Sequence, residues 1–206
     1  MIKIRKNNPA FVFLMNYWKK HCILENSHYL WIQNHIEIKS KISKNTAIHL
    51  YGERSKVVYF VCKGALARIH YDKNYKLHID HIALPGMALM STIHIYSNTL
   101  SEGDIISIQP NSSYIIIKYK DIHQGIQHSP ELETLINIFS NKIKKQIIAL
   151  NVILHESTPL ERYCRFINLL PELHQLLTQS EQSSLLNISR RTIQRIQYGF
   201  LKGNKI

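Results

Sequence analysis

A chain of 206 residues, 45% of them apolar, can hold one large domain or two modest ones and is too apolar to be disordered throughout. Its formal net charge of +12 favours an anionic partner, and no stretch reaches the roughly 18 consecutive apolar residues of a membrane span. Cys22, Cys62 and Cys164 are scattered and lack C-x-x-C spacing, which fits reduced thiols in a cytoplasm and excludes a cysteine cluster for zinc or iron–sulfur. The positive excess sits at the two ends: residues 1–44 carry 8 Lys/Arg against 2 Asp/Glu, and residues 158–206 carry 7 against 3.

Asn8-Pro9 reads as an N-cap followed by proline at the first helical position. Phe11, Leu14, Met15 and Trp18 keep helical spacing, so a helix is expected from about 9 to 24. A second, short helix is expected over 28–34. From Ile36 the period drops towards two. Residues 57–62, Val-Val-Tyr-Phe-Val-Cys, give the strongest strand signal, broken by Lys63-Gly64. Residues 65–71 start another strand, Asp72-Lys73-Asn74 makes the turn, and 77–84 runs up to Pro85-Gly86. Segments 105–108 and 114–119 complete a set of six to eight short strands. Such a set favours a closed antiparallel roll.

After Ser129-Pro130 the pattern becomes one long helix to about 154. Leu132, Leu135, Ile136, Phe139, Ile143, Ile147, Leu150 and Leu154 form a sustained apolar stripe. A helix of that length beside a small roll suggests a homodimer seam, expected through Leu135, Phe139, Ile143 and Leu150. The alternative is a stripe packed only on its own roll. Thr158-Pro159-Leu160-Glu161 combines an N-cap, an N1 proline and a capping-box Glu, and it marks the clearest boundary. The division expected is therefore 1–129 for the N-terminal helices and roll, 130–157 for the long helix and 158–206 for a small helical domain.

Within that last part, Thr178 and Glu181 form another capping box. Leu185 and Leu186 close a short helix, and Asn187 follows where a left-handed residue belongs. Ser189 then caps a second helix opening with Arg190, Arg191 and Thr192. Two short helices around a tight turn read as a helix-turn-helix. Arginine can hold guanine O6 and N7 bidentately and glutamine can hold adenine N6 and N7. The DNA-facing candidates are thus Ser189, Arg190, Arg191, Thr192, Gln194 and Arg195, while Ile188, Ile193 and Ile196 hold the second helix on the first. The pattern by itself leaves open a solvated basic helix.

The order of parts resembles the Crp/Fnr family of transcription regulators over roughly 36–196. The best local match is Asn187-Ile188-Ser189-Arg190-Arg191-Thr192-Ile193-Gln194-Arg195-Ile196, which the family writes Gly-(apolar)-Ser-Arg-Glu-Thr-(Val)-x-Arg-(apolar). Glu161-Arg162, Gly52 and Gly64 also look like the family. The resemblance implies an α+β chain: a cyclic-nucleotide-binding-like β-roll, a dimerisation helix and a C-terminal helix-turn-helix. It implies double-stranded DNA, a second copy and RNA polymerase as partners, Arg190 and Arg195 on DNA, and no membrane. Arg191 stands where the family often has Glu, so base preference should differ.

The phosphate cassette of cyclic-nucleotide-binding members is not matched. Gly86-Met87-Ala88-Leu89 lacks its Glu, and Leu100-Ser101-Glu102-Gly103-Asp104 offers carboxylates instead of its Arg, so cyclic AMP is not expected and no cofactor is nominated. The stretch 197–206 looks too short for the family's two-stranded wing, although Lys202 and Lys205 could touch phosphates. No catalytic constellation appears, and the chain is not expected to be an enzyme. The competing reading is a cupin-like metal-binding roll, drawn from His78, Asp80 and His81 with His70 and His94 nearby, or a partner-binding roll with a vestigial helix-turn-helix.

Overall fold

The computed structural model describes residues 4–101 and 103–201. Helix α1 (Pro9–Lys19) starts where the Asn8 side-chain oxygen accepts from the Ala10 and Phe11 amides at 2.9 and 3.4 Å. It ends at Lys19 and not at the expected 24, where the Lys20 and His21 amides donate three residues back, to the Tyr17 and Trp18 carbonyls at 3.2 and 2.9 Å. Helix α2 (Asn26–His35) is fastened at its start by the Glu25 amide, which donates to His28 Nδ1 at 2.9 Å.

Two four-stranded antiparallel sheets follow. One takes β1 (Ile36–Ile42), β8 (Ser112–Lys118), β3 (Val57–Lys63) and β6 (Ala88–Met90) in that order. The other takes β2 (Ala47–His49), β7 (Asp104–Ser107), β4 (Leu66–Tyr71) and β5 (Leu77–Ala83). Strand β3 explains why its sequence is an unbroken apolar run. Val58 and Phe60 lie on one face, in a core with Ile115, Ile117 and the α1 residues Leu14 and Trp18. Val57, Tyr59 and Val61 lie on the other, with Leu66, Leu89, Ile105 and Tyr114. With side chains alternating along a strand, both faces are buried and no polar register is needed.

Helix α3 (Tyr119–Ile126) follows β8 directly, and α4 (Pro130–Leu154) is the expected long helix. Its N-terminal half serves its own chain. Leu132, Leu135, Ile136 and Phe139 belong to the same core as Phe60 and Trp18, and the Phe139 ring stacks on Phe60 at 4.9 Å. Ile143 packs on the second core cluster and Leu150 is buried. Of the four expected seam residues, Leu135, Phe139 and Leu150 are buried within their own chain and leave little surface for a partner, whereas Ile143 is half-buried. The apolar residues that α4 exposes are Ile147, Ile148, Val152 and Leu154.

The described residues fall into two compact units. The first runs to Ile69 and resumes over Ile82–Ile143; the second joins His70–His81 to the chain from Lys144 onward. Among the described residues no helix is long and apolar enough to cross a membrane.

Candidate nucleic-acid interface

In the second unit α5 (Pro159–Leu169) opens on a reciprocal cap. The Glu161 amide donates to Thr158 Oγ1 at 3.2 Å, and the Thr158 amide donates to Glu161 Oε2 at 3.0 Å. After α6 (Pro171–Leu176), helix α7 (Gln179–Leu186) repeats the device, with the Thr178 amide donating to Glu181 Oε2 at 2.8 Å. Asn187 ends α7 at φ 53°, ψ 41°, the left-handed conformation its short amide side chain tolerates. Ser189 Oγ accepts from the Thr192 amide at 3.0 Å and starts α8 (Arg190–Leu201). Helix α8 takes up residues 197–201, and Lys202 and Lys205 lie outside the described residues.

The predicted residues divide as the helical period requires. Ile188, Ile193 and Ile196 are buried, as are Leu185 and Leu186 of α7. Ser189, Arg190, Arg191, Gln194 and Arg195 are exposed, and Thr192 is half-buried with its hydroxyl 2.7 Å from Ser189 Oγ. Gln194 is engaged: its Nε2 donates to Gln179 Oε1 at 3.2 Å. From there a relay crosses the unit, Gln179 Nε2 to Gln197 Oε1 at 2.7 Å and Gln197 Nε2 to the Tyr163 hydroxyl at 2.6 Å. Tyr163 in turn lies 3.0 Å from His174 Nε2, and burial raises its pKa, so it stays neutral.

Sequence reasoning passed over these positioning residues because polar side chains inside a small helical unit leave no periodic trace. Arg162 is another. Its Nη1 donates to the Leu186 carbonyl at 3.2 Å and its Nη2 to the Glu156 carbonyl at 3.2 Å, serving one of the open carbonyls at the end of α7. Its only sequence signal is the Glu161-Arg162 pair. The hairpin residues of the same unit also reach the turn, with Lys76 Nζ donating to Asn187 Oδ1 at 2.8 Å.

The histidine cluster considered for a metal resolves into separate imidazole–carboxylate contacts. His70 Nδ1 lies 2.8 Å from Asp80 and His78 Nε2 lies 3.1 Å from Asp72, with the two imidazoles stacked at 5.1 Å. His94 accepts the Tyr96 amide at 3.2 Å. Among the described residues no group of three or more His, Cys, Asp or Glu side chains could hold a metal.

The first unit buries polar groups that the sequence did not signal. Arg68 on β4 is buried and its Nη2 donates to the Met90 carbonyl. Of the cassette carboxylates, Asp104 accepts the Tyr51 amide at 2.6 Å, and Glu102 lies outside the described residues. His49 is 1% exposed, its Nδ1 3.1 Å from the Tyr59 hydroxyl, and its Nε2 has no partner. Burial holds its pKa below 6.5 despite the nearby Glu53 carboxylate. The unfolded chain therefore binds a proton that the folded state resists, and stability present above about pH 6.5 is lost as pH falls. The melting temperature should drop from pH 7 to pH 5, and His49→Gln should flatten that slope. An unchanged slope would place the titration on another group.

No family model matches the sequence, and no curated protein matches it either. Solved structures do. A cyclic nucleotide-binding domain containing protein from Listeria monocytogenes superposes with a TM-score of 0.70 at 15% identity, covering 94% of this chain and 91% of that one. The c-di-GMP responsive global regulator CLP of Xanthomonas campestris gives 0.69 at 13% identity, over 87% and 93%. A transcriptional regulator assigned to the Crp/Fnr family from Eubacterium rectale gives 0.67 at 15% identity, over 91% and 89%. The chain therefore has the fold that these solved structures share, that of the Crp/Fnr transcription regulators.

Proposed function

We propose that this chain is a homodimeric, sequence-specific DNA-binding regulator of transcription with no catalytic activity of its own. The observation that supports it best is the outer face of α8. Arg190, Arg191, Gln194 and Arg195 are exposed together on a helix whose apolar side is buried and whose start is fastened by Ser189. A recognition helix presents its first turns to base edges in the major groove. Arg191 and Arg195 are the base readers in this account, and Arg190, Ser189 and Thr192 set register near phosphates. Gln194 has one of its two amide N–H groups held by Gln179, and its other N–H and its Oε1 face outward to a base.

Two half-sites on DNA call for two copies of the chain. We assign the pairing surface to the exposed apolar residues of α4, Ile147, Ile148, Val152 and Leu154. RNA polymerase contact belongs to the same reading. Cyclic AMP does not, because the cassette Glu and Arg are missing.

Arg195→Ala should weaken the specific site by about 1–3 kcal/mol and relax preference at one base pair. Fluorescence anisotropy with matched and single-substituted duplexes checks this at fixed salt. Uniform weakening across all duplexes would make Arg195 a phosphate contact only.

A further inference from the structure

A cleft of about 540 Å³ opens in the first unit where the start of β3, the end of β8 and the start of α3 meet the segment between β6 and β7. Four cations line it, Arg54, Lys56, Lys118 and Lys120, and no carboxylate does. Of the two acidic neighbours in sequence, only Glu53 comes near, and its one charge leaves the four cations in excess. Glu53 accepts from the Ser55 hydroxyl at 2.6 Å and from the Leu50 amide at 3.1 Å, and Asp121 is not part of the lining.

Like charges gathered in a concave site repel one another and raise the local concentration of anions. The cleft also holds an aromatic platform. Tyr96 is 67% exposed, and its ring lies 5.0 Å from that of His123, which is itself anchored through Nε2 to the Ile95 carbonyl at 3.1 Å. A solvent-facing tyrosine beside four cations suits a ligand with a planar ring at one end and several negative charges at the other. The volume lies within the range of small-molecule sites. Ser55 of the lining lies 3.5 Å from His49 Nδ1, so the cleft borders that buried histidine.

We propose that this cleft binds a nucleoside polyphosphate, with its phosphates on Arg54, Lys56, Lys118 and Lys120 and its base against Tyr96. The inference does not depend on DNA binding, so either can fail alone. Isothermal titration of the full chain with ATP, pyrophosphate and adenosine, without divalent metal, tests it. ATP should bind saturably, pyrophosphate more weakly, and adenosine alone should not bind. Lys118→Glu/Lys120→Glu changes two exposed side chains and should weaken ATP at least about tenfold with an unchanged melting temperature. Tyr96→Ala should bring ATP down to the affinity of pyrophosphate. Arg191→Ala/Arg195→Ala, in the other unit, should leave ATP binding intact. Absence of ATP binding, or binding that survives Lys118→Glu/Lys120→Glu, would overturn the site. Equal affinity for ATP and pyrophosphate in the unsubstituted chain would overturn the ligand class.

Discussion

Phe139→Ala should destabilise the chain by about 3–5 kcal/mol in urea unfolding, the cost of emptying a large aromatic site in a packed core. Phe139 is 0% exposed, stacks on Phe60 at 4.9 Å with 28° between the rings, and lies 6.2 Å from the Tyr17 ring. The neighbouring Leu135, Ile136 and Leu132 are equally enclosed, so little collapse can fill the hole. The same substitution separates two roles for the long helix. A core residue loses stability whatever the protein concentration, whereas a seam residue would shift the subunit equilibrium and leave the folded monomer intact. A loss below about 1 kcal/mol would contradict the core assignment.

The second large effect concerns pairing. Ile148→Asp/Val152→Asp places two carboxylates where α4 exposes apolar side chains, with Ile148 63% and Val152 46% exposed. Both positions face solvent within the chain, so the fold should persist while sedimentation reports a monomer. Affinity for a two-half-site duplex should then fall by at least about a hundredfold, since one recognition helix no longer holds its neighbour close to the DNA. A dimer that survives would move the seam off this part of α4. An unfolded variant would show that these side chains are needed inside the chain.

How far the sequence could be read depends on what kind of contact fixes each element. Local chemistry was legible: the Thr158–Glu161 and Thr178–Glu181 boxes, the left-handed Asn187 and the Ser189 cap all stand where the residue types place them. Strand β3 was legible because burial on both faces leaves an unbroken apolar run. Strands β2 and β6 are three residues each, too short to show a period, and they are held by partners distant in sequence. Helix α3 places Tyr119, Ile122 and Gly125 inward within eight residues, too brief a stripe to separate from the strand before it.

The long helix shows the deeper limit. Its stripe marks Leu135, Phe139 and Leu150 as buried but does not say by what, and the structure uses them within the chain. Polar groups fixed by non-local geometry were invisible for the same reason: the Gln194–Gln179–Gln197–Tyr163 relay, the Arg68 contact to Met90, and the cations that two separate segments bring to one cleft.

The outer face of α8 is proposed to read bases. Selection of genomic DNA fragments by purified protein at moderate salt, run in parallel for the unsubstituted chain and Arg191→Ala/Arg195→Ala, tests it most directly. The expected result is a two-fold-symmetric motif that the double variant loses while its melting temperature stays the same. Recovery of the same motif by the double variant, or of no motif by either protein, would contradict it.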